Sequence, residues 1–207
     1  MSGLLQAGRP PLILASTSKI RGRLLKDAGL TFITEPPGLD EATMRAAIGA
    51  EKILDPHDVA EVLARAKAEA VSDLAQGAFV IGADQVLAFE EQILSKPESM
   101  EAARKRLLDL RGKTHQLHTA VALATDGVTL WTYTDVATLT MRPLSPEFIG
   151  HYLAAAGEEV LSAVGGYQIE SLGLQLFEKI EGDFFSILGL PLLALLDTLR
   201  REGVIEG

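Results

Sequence analysis

One acid interrupts a long apolar run near the middle of the chain. Phe79-Val80-Ile81-Gly82-Ala83-Asp84-Gln85-Val86-Leu87-Ala88-Phe89 reads as a buried strand with a carboxylate at its centre. A charge in such a place is costly unless it is paired, bound to a metal or faced by a cleft. Gly82 and Ala83, just before it, remove side-chain bulk and predict a close approach to the backbone. A turn through Glu90, Glu91 and Gln92 then leads back to Lys96 and Pro97, within hairpin reach of the acid. The plain alternative is an Asp held by backbone donors and a Lys on a solvated loop. The small flanking residues and the nearby lysine favour an active-site carboxylate instead.

With 207 residues, 47% of them apolar, the chain is long enough for one large core or for two lobes around a cleft. A net charge of −9 argues against general binding to nucleic acid or to anionic membranes, while leaving room for a local basic pocket that takes phosphate. No cysteine is present, which removes disulfides, thiolate nucleophiles and Cys-type zinc sites. The start MSGLLQAGRPP lacks the pattern of a secretory leader, and the longest apolar runs are too short to span a bilayer. A soluble, cytoplasmic protein is the expectation.

Pro11 to Ala15 reads as a first buried strand leading through Ser16-Thr17-Ser18 into a helix whose apolar face is Ile20, Leu24, Leu25 and Ala28. The hydroxyls could simply cap that helix. The first turn, however, carries Lys19, Arg21 and Arg23, where acids normally accompany a cap. Free N–H groups and added positive charge at one junction predict a phosphate site. It is no P-loop, because the glycines and the Gly-Lys-Ser/Thr ending are missing. Leu30 to Thr34 is a second strand. Asp40 and Glu41, adjacent acids in the loop beyond it, are candidate ligands for a hard divalent cation near such a site.

A long helix is predicted from an Asp58 cap to Ala75, with Val59, Val62, Leu63, Ala66, Ala70 and Leu74 as its buried stripe. Lys67 lies beside that stripe and reads by itself as a surface lysine lying along the helix. Ser99 to Leu110 is another helix, Asp126-Gly127 a hairpin turn, and Ser145-Pro146 a helix start. His115 and His118 are three apart on a predicted strand and face opposite ways, so they are not read as metal ligands. Gly165-Gly166 before Tyr167-Gln168-Ile169-Glu170 predicts close backbone approach followed by polar recognition, or else a plain turn. Strands and helices alternate irregularly, predicting α/β with a mixed β-sheet flanked by helices.

Six stretches, LILASTSKIRGRLL, IGADQV, KP before an alanine-rich helix, LRGKTH, GGYQIES and IEGDFFSILGLP, together resemble the Maf family of nucleotide pyrophosphatases. They follow that family's order and cover nearly the whole chain. The resemblance implies one domain over 1–207, an elongated, two-lobed fold like that of inosine triphosphatases, with a central cleft, and frequent homodimers. It implies hydrolysis of a nucleoside triphosphate to the monophosphate and pyrophosphate with Mg²⁺ or Mn²⁺. It also allows a nucleotide-binding regulator of cell division with little catalysis. Residue by residue, Asp84 matches the catalytic acid, Ser16, Arg21, Lys67 and Lys96 the phosphate binders, and Asp40, Glu41 and Asp84 the cation ligands. Lys19 stands where the family usually has proline, and Ile20 holds a position linked there to substrate choice. Gln85 and Glu170 match the branch resembling 7-methyl-GTP pyrophosphatases, where pyrimidine-directed members have Thr and Gln.

Overall fold

The computed structural model describes residues 6, 9–40, 43, 44 and 55–207. Glu41, one of the candidate cation ligands, lies outside them. The elements in chain order are β1 (Leu12–Ala15), α1 (Lys19–Asp27), β2 (Ile33–Glu35), α2 (Pro56–Ser72), β3 (Phe79–Phe89), β4 (Gln92–Leu94), α3 (Met100–Leu110), β5 (Thr114–Thr125), β6 (Val128–Met141), α4 (Pro146–Ala156), β7 (Phe177–Glu181), α5 (Phe184–Ile187) and α6 (Leu192–Arg201). Short 3₁₀ turns at Gly157–Ser162 and Leu172–Leu176 lie between α4 and β7. Seven strands form one mixed sheet in the order β2-β1-β3-β5-β6-β7, with β4 paired to β3. β1 runs parallel to both β2 and β3, whereas β3–β4 and β6–β7 are antiparallel. The fold is therefore the expected mixed-sheet α/β.

The described residues fall into two compact units. The first draws on Met1–Asp84, Thr119–Asp135 and Gly189–Gly207, the second on Gln85–His118 and Val136–Leu188. In the first, Ile13, Ala15, Val71, Ala78 and Val80 bury one another. In the second, α3 and α4 lay Ala103, Leu107, Leu110, Ile149 and Leu153 against Leu87, Leu117, Leu139 and Met141 of the strands.

Local chemistry sets most of the boundaries. Ser99 and Ser145 accept the backbone N–H of the third residue onward, capping α3 and α4, and Pro146 fits the first turn of α4. Asp126 and Gly127 both have positive φ, as a two-residue hairpin turn between β5 and β6 requires. Two expectations need correction. The cap of α2 is Asp55, whose side chain accepts the His57 N–H, because Pro56 suits the first helical position and pulls the start three residues earlier than Asp58. The buried face of α2 is also rotated from the predicted stripe. Val59, Ala60, Leu63, Ala64, Lys67, Ala68 and Val71 are inside, while Val62 and Leu74 are 40% and 86% exposed. Alanines at four-residue spacing, not the bulkier residues, mark the side that packs.

Within the second unit, Nε2 of buried His115 lies 2.6 Å from the Tyr167 hydroxyl, and its ring packs beside Tyr167 and Phe177. Burial lowers the His115 pKa from 6.5 to about 4. The unfolded chain then binds a proton near pH 6.5 that the folded chain refuses until about pH 4. Stability falls as pH drops through that window, by about 3 kcal/mol at most from this residue. Urea titrations across pH 4 to 7 are expected to show this loss in the wild type, and His115→Gln is expected to flatten the slope. An unchanged slope in the variant would refute it.

Candidate active site

The first unit assembles a charged centre from strand register and helix packing. β1 and β3 are parallel and matched from Leu12 with Phe79 to Ala15 with Gly82. Ser16 thus emerges at the carboxyl end of β1, where β3 continues into Ala83 and Asp84. The carboxyl ends of parallel strands are where open α/β sheets place their ligands.

Gly82 explains how a lysine reaches that point. A Cβ on it would stand 2.2 Å from the Ala64 carbonyl oxygen and 2.6 Å from the Ala68 nitrogen. The close approach predicted at this glycine is made by α2. Lys67, between those two alanines, is carried inward with them. It is 4% exposed, so the reading of Lys67 as a surface residue is overturned by the packing of α2 on β3. Its Nζ donates to Asp84 Oδ1 at 2.7 Å, and Asp84 is itself 4% exposed. Two buried charges thus compensate one another with good geometry.

The strand-to-helix junction beside β1 is built from the same unit. Ser18 stands at the start of α1 without a side-chain cap, and no acid lies in the first turn. Ser16 is buried, and its Oγ accepts the Ser18 N–H at 3.2 Å and faces Arg21 Nη1 at 3.4 Å. Arg21 Nε donates to the Gly189 carbonyl at 2.7 Å. That contact fixes the guanidinium from the far end of the chain, and the sequence reading missed it. Ile20 sits half-buried on α1.

Asp40, also in this unit, accepts from the Thr43 N–H at 3.1 Å and the Thr43 hydroxyl at 2.7 Å. No group of three His, Cys, Asp or Glu side chains among the described residues forms a metal cage. Asp40 and Asp84 nevertheless offer hard carboxylate oxygens. Mg²⁺ sites commonly join one or two such groups to substrate phosphates and water, so the donor chemistry fits a cation bound together with its substrate.

The second unit holds the remaining candidates. Gln85 Nε2 donates to the carbonyls of Ser186 and Ile187 at 3.1 and 3.0 Å, a partnership the sequence did not suggest. Lys96 is exposed on the segment between β4 and α3, ahead of buried Pro97. Glu170 is exposed at the end of the loop that follows Val164. In that loop Gly165 faces the Tyr167 ring so closely that a Cβ would lie 2.1 Å from it.

The Maf-like protein family model matches residues 11–202. The chain belongs to the Maf family. It is 52% identical over 196 residues to a 7-methyl-GTP pyrophosphatase of Brucella abortus biovar 1 (strain 9-941), covering 95% of this chain and 98% of that protein. A 7-methyl-GTP pyrophosphatase of Mesorhizobium japonicum is 49% identical over the same shares. A nucleoside triphosphate pyrophosphatase of Caulobacter vibrioides is 47% identical over 94% of this chain and 97% of its own. As a Maf protein the chain has one further general property on view. Among the described residues no helix is long and apolar enough to cross a membrane.

The ion pair can be tested without reference to activity. Lys67→Met leaves the Asp84 carboxylate buried without its cation, and a loss of about 3–5 kcal/mol is expected. Adding Asp84→Asn removes that charge and should restore much of the loss. Denaturant titration of the two single variants and the double variant gives the coupling. Strictly additive losses would contradict the pair.

Proposed function

We propose that the protein is a nucleoside triphosphate pyrophosphatase, cleaving a nucleoside triphosphate to the monophosphate and pyrophosphate. The observation that carries the reading is the buried Lys67–Asp84 pair at the carboxyl end of the parallel strands, in the same unit as the Ser16–Arg21 junction. The activities for which relatives near 50% identity are named support it.

In the proposed reaction Asp84 orients a water and takes its proton as the oxygen bonds to the α-phosphorus. The bond from that phosphorus to the bridging oxygen breaks, and pyrophosphate leaves with the electron pair. Ser16, Arg21 and the α1 N-terminus bind phosphate oxygens, and Arg21 is held ready for this by the Gly189 carbonyl. Lys67 keeps the base in place and offsets developing negative charge. Lys96 is assigned to phosphate binding on the family resemblance alone. Asp84 and Asp40, with Glu41, would hold Mg²⁺ or Mn²⁺, which when bound supplies charge neutralisation at the phosphates.

For the base, we propose a preference for guanine nucleotides, 7-methyl-GTP first. Glu170 is acceptor-only and suits both N1–H and N2–H₂ of guanine. Uracil and thymine offer one N–H, leaving an oxygen of Glu170 unpaired once the nucleotide covers it, at about 1–3 kcal/mol. The positive charge of a 7-methylated guanine favours the carboxylate further. Gln85, whose amide is bound to the Ser186 and Ile187 carbonyls, acts in this proposal by holding α5.

Pyrophosphate release from 7-methyl-GTP, GTP, UTP and dTTP with Mg²⁺ or Mn²⁺ tests both levels. Chelation is expected to abolish turnover. Asp84→Asn retains an oxygen for Lys67, so it is expected to stay folded while kcat falls roughly 10²–10⁴-fold. Near-normal kcat in that variant would remove Asp84 from the chemistry, and tight binding without release in the wild type would favour a nucleotide-binding regulator. Glu170→Gln is expected to flatten the ranking of bases. A wild type that prefers UTP or dTTP would overturn the guanine assignment.

A further inference from the structure

Two candidate binding segments of the second unit meet at one side chain. Arg106, half-buried on α3, directs its Nη1 to the Ser95 carbonyl at 2.7 Å and to the Val164 carbonyl as well. Ser95 immediately precedes Lys96. Val164 immediately precedes Gly165, at the root of the loop that ends in Glu170. A single nitrogen with two N–H groups therefore ties together the backbones that carry both residues. The same loop is fastened once more at Tyr167, by the buried hydroxyl contact with His115. Its root and its middle are thus both held, ahead of Gln168, Ile169 and Glu170. Charged donors make hydrogen bonds roughly twice as strong as neutral ones, which suits a strut between two carbonyls.

We propose that Arg106 is a positioning residue that sets Lys96 and the Glu170 loop in fixed register, so that one contributes to phosphate binding while the other reads the base. The inference rests on the roles given above to Lys96 and Glu170. Arg106 itself touches no substrate in it. A role confined to stability would lower activity toward every nucleotide alike, or lower the folded fraction. A positioning role changes which nucleotide is preferred.

The test compares kcat and KM for 7-methyl-GTP, GTP and UTP in wild type, Arg106→Met, Glu170→Gln and the double variant, each checked for folding by thermal melt. Arg106→Met keeps the apolar stem and removes both donors. It is expected to raise KM for all three nucleotides and to compress the guanine-over-uracil ratio of kcat/KM about tenfold, the scale of one lost charged hydrogen bond. In the double variant the ratio should fall no further than in Glu170→Gln. If Glu170→Gln compresses the ratio and folded Arg106→Met does not, the positioning role is wrong while the base-reading role stands. If Glu170→Gln leaves the ratio unchanged, the base-reading role falls and this inference with it. Should Arg106→Met fail to fold, Arg106→Gln, with a donor too short to join both carbonyls, takes its place with the same expected compression. Loss of folding in both variants would make Arg106 a determinant of the fold and overturn the assignment.

Discussion

The approach of α2 to β3 at Gly82 is the constraint on which the first unit depends. Any side chain at that position would run into the backbone of α2 at Ala64 and Ala68. With glycine there and alanines opposite, the helix lies close enough for Lys67 to reach Asp84 at 2.7 Å. The pair compensates two charges that could not otherwise be buried. Removing water around them strengthens their attraction and holds the carboxylate in one orientation. Packing density and electrostatics are thus one problem here. A looser helix would let water in, weaken the pair and leave the acid free to turn.

The second unit solves a different problem with different means. Two of its candidates, Lys96 and Glu170, are exposed, and the segments that carry them are held by polar contacts made elsewhere along them. Arg106 binds two carbonyls, Gln85 binds two more on α5, and His115 holds the Tyr167 hydroxyl. Each anchor is polar, and the partners lie from 11 residues away in sequence, for Arg106–Ser95, to 102, for Gln85–Ile187. Glu170 is exposed at the end of a loop whose Gly165, Gly166, Tyr167 and Ile169 are buried.

How much of this was legible in the sequence follows from the range of each interaction. The apolar run of β3 with its central acid, the helix after Ser99, the Ser145-Pro146 helix start and the Asp126-Gly127 turn are local signals, and the structure has each where the residues placed it. The need for space at Gly82 was visible, but the occupant was not. A helix face defined by alanines has little hydrophobic contrast, so Val62 and Leu74 drew the predicted stripe away from the side that packs. Asp55 and Asp58 are both acids that can cap a helix, and Pro56 at the first helical position decides for Asp55. The hold of Gly189 on Arg21 spans 168 residues, and no local pattern announces it. Lys67 shows the difference most clearly. Its own neighbourhood reads as surface, the family resemblance made it a phosphate binder, and neither gave its contact with Asp84.

The contrast between the units bears on how the two halves of the proposed activity respond to change. A substitution at Lys67 or Asp84 acts on a buried pair, where an unpaired charge destabilises the fold along with the chemistry. A substitution at Glu170 acts on an exposed group, where the surrounding water makes good the lost contact until a nucleotide covers it. In the proposed activity, base preference would rest on Glu170, an exposed side chain that can differ at little cost to stability, while water activation would rest on the buried pair. The anchors lie between these extremes. Arg106 binds the carbonyls of Ser95 and Val164, next to Lys96 and Gly165, and His115 holds the Tyr167 hydroxyl within the loop that ends in Glu170. Recognition can then be altered in two ways, by changing the side chain that meets the nucleotide or by loosening the backbone that presents it. The second leaves every contacting residue in place.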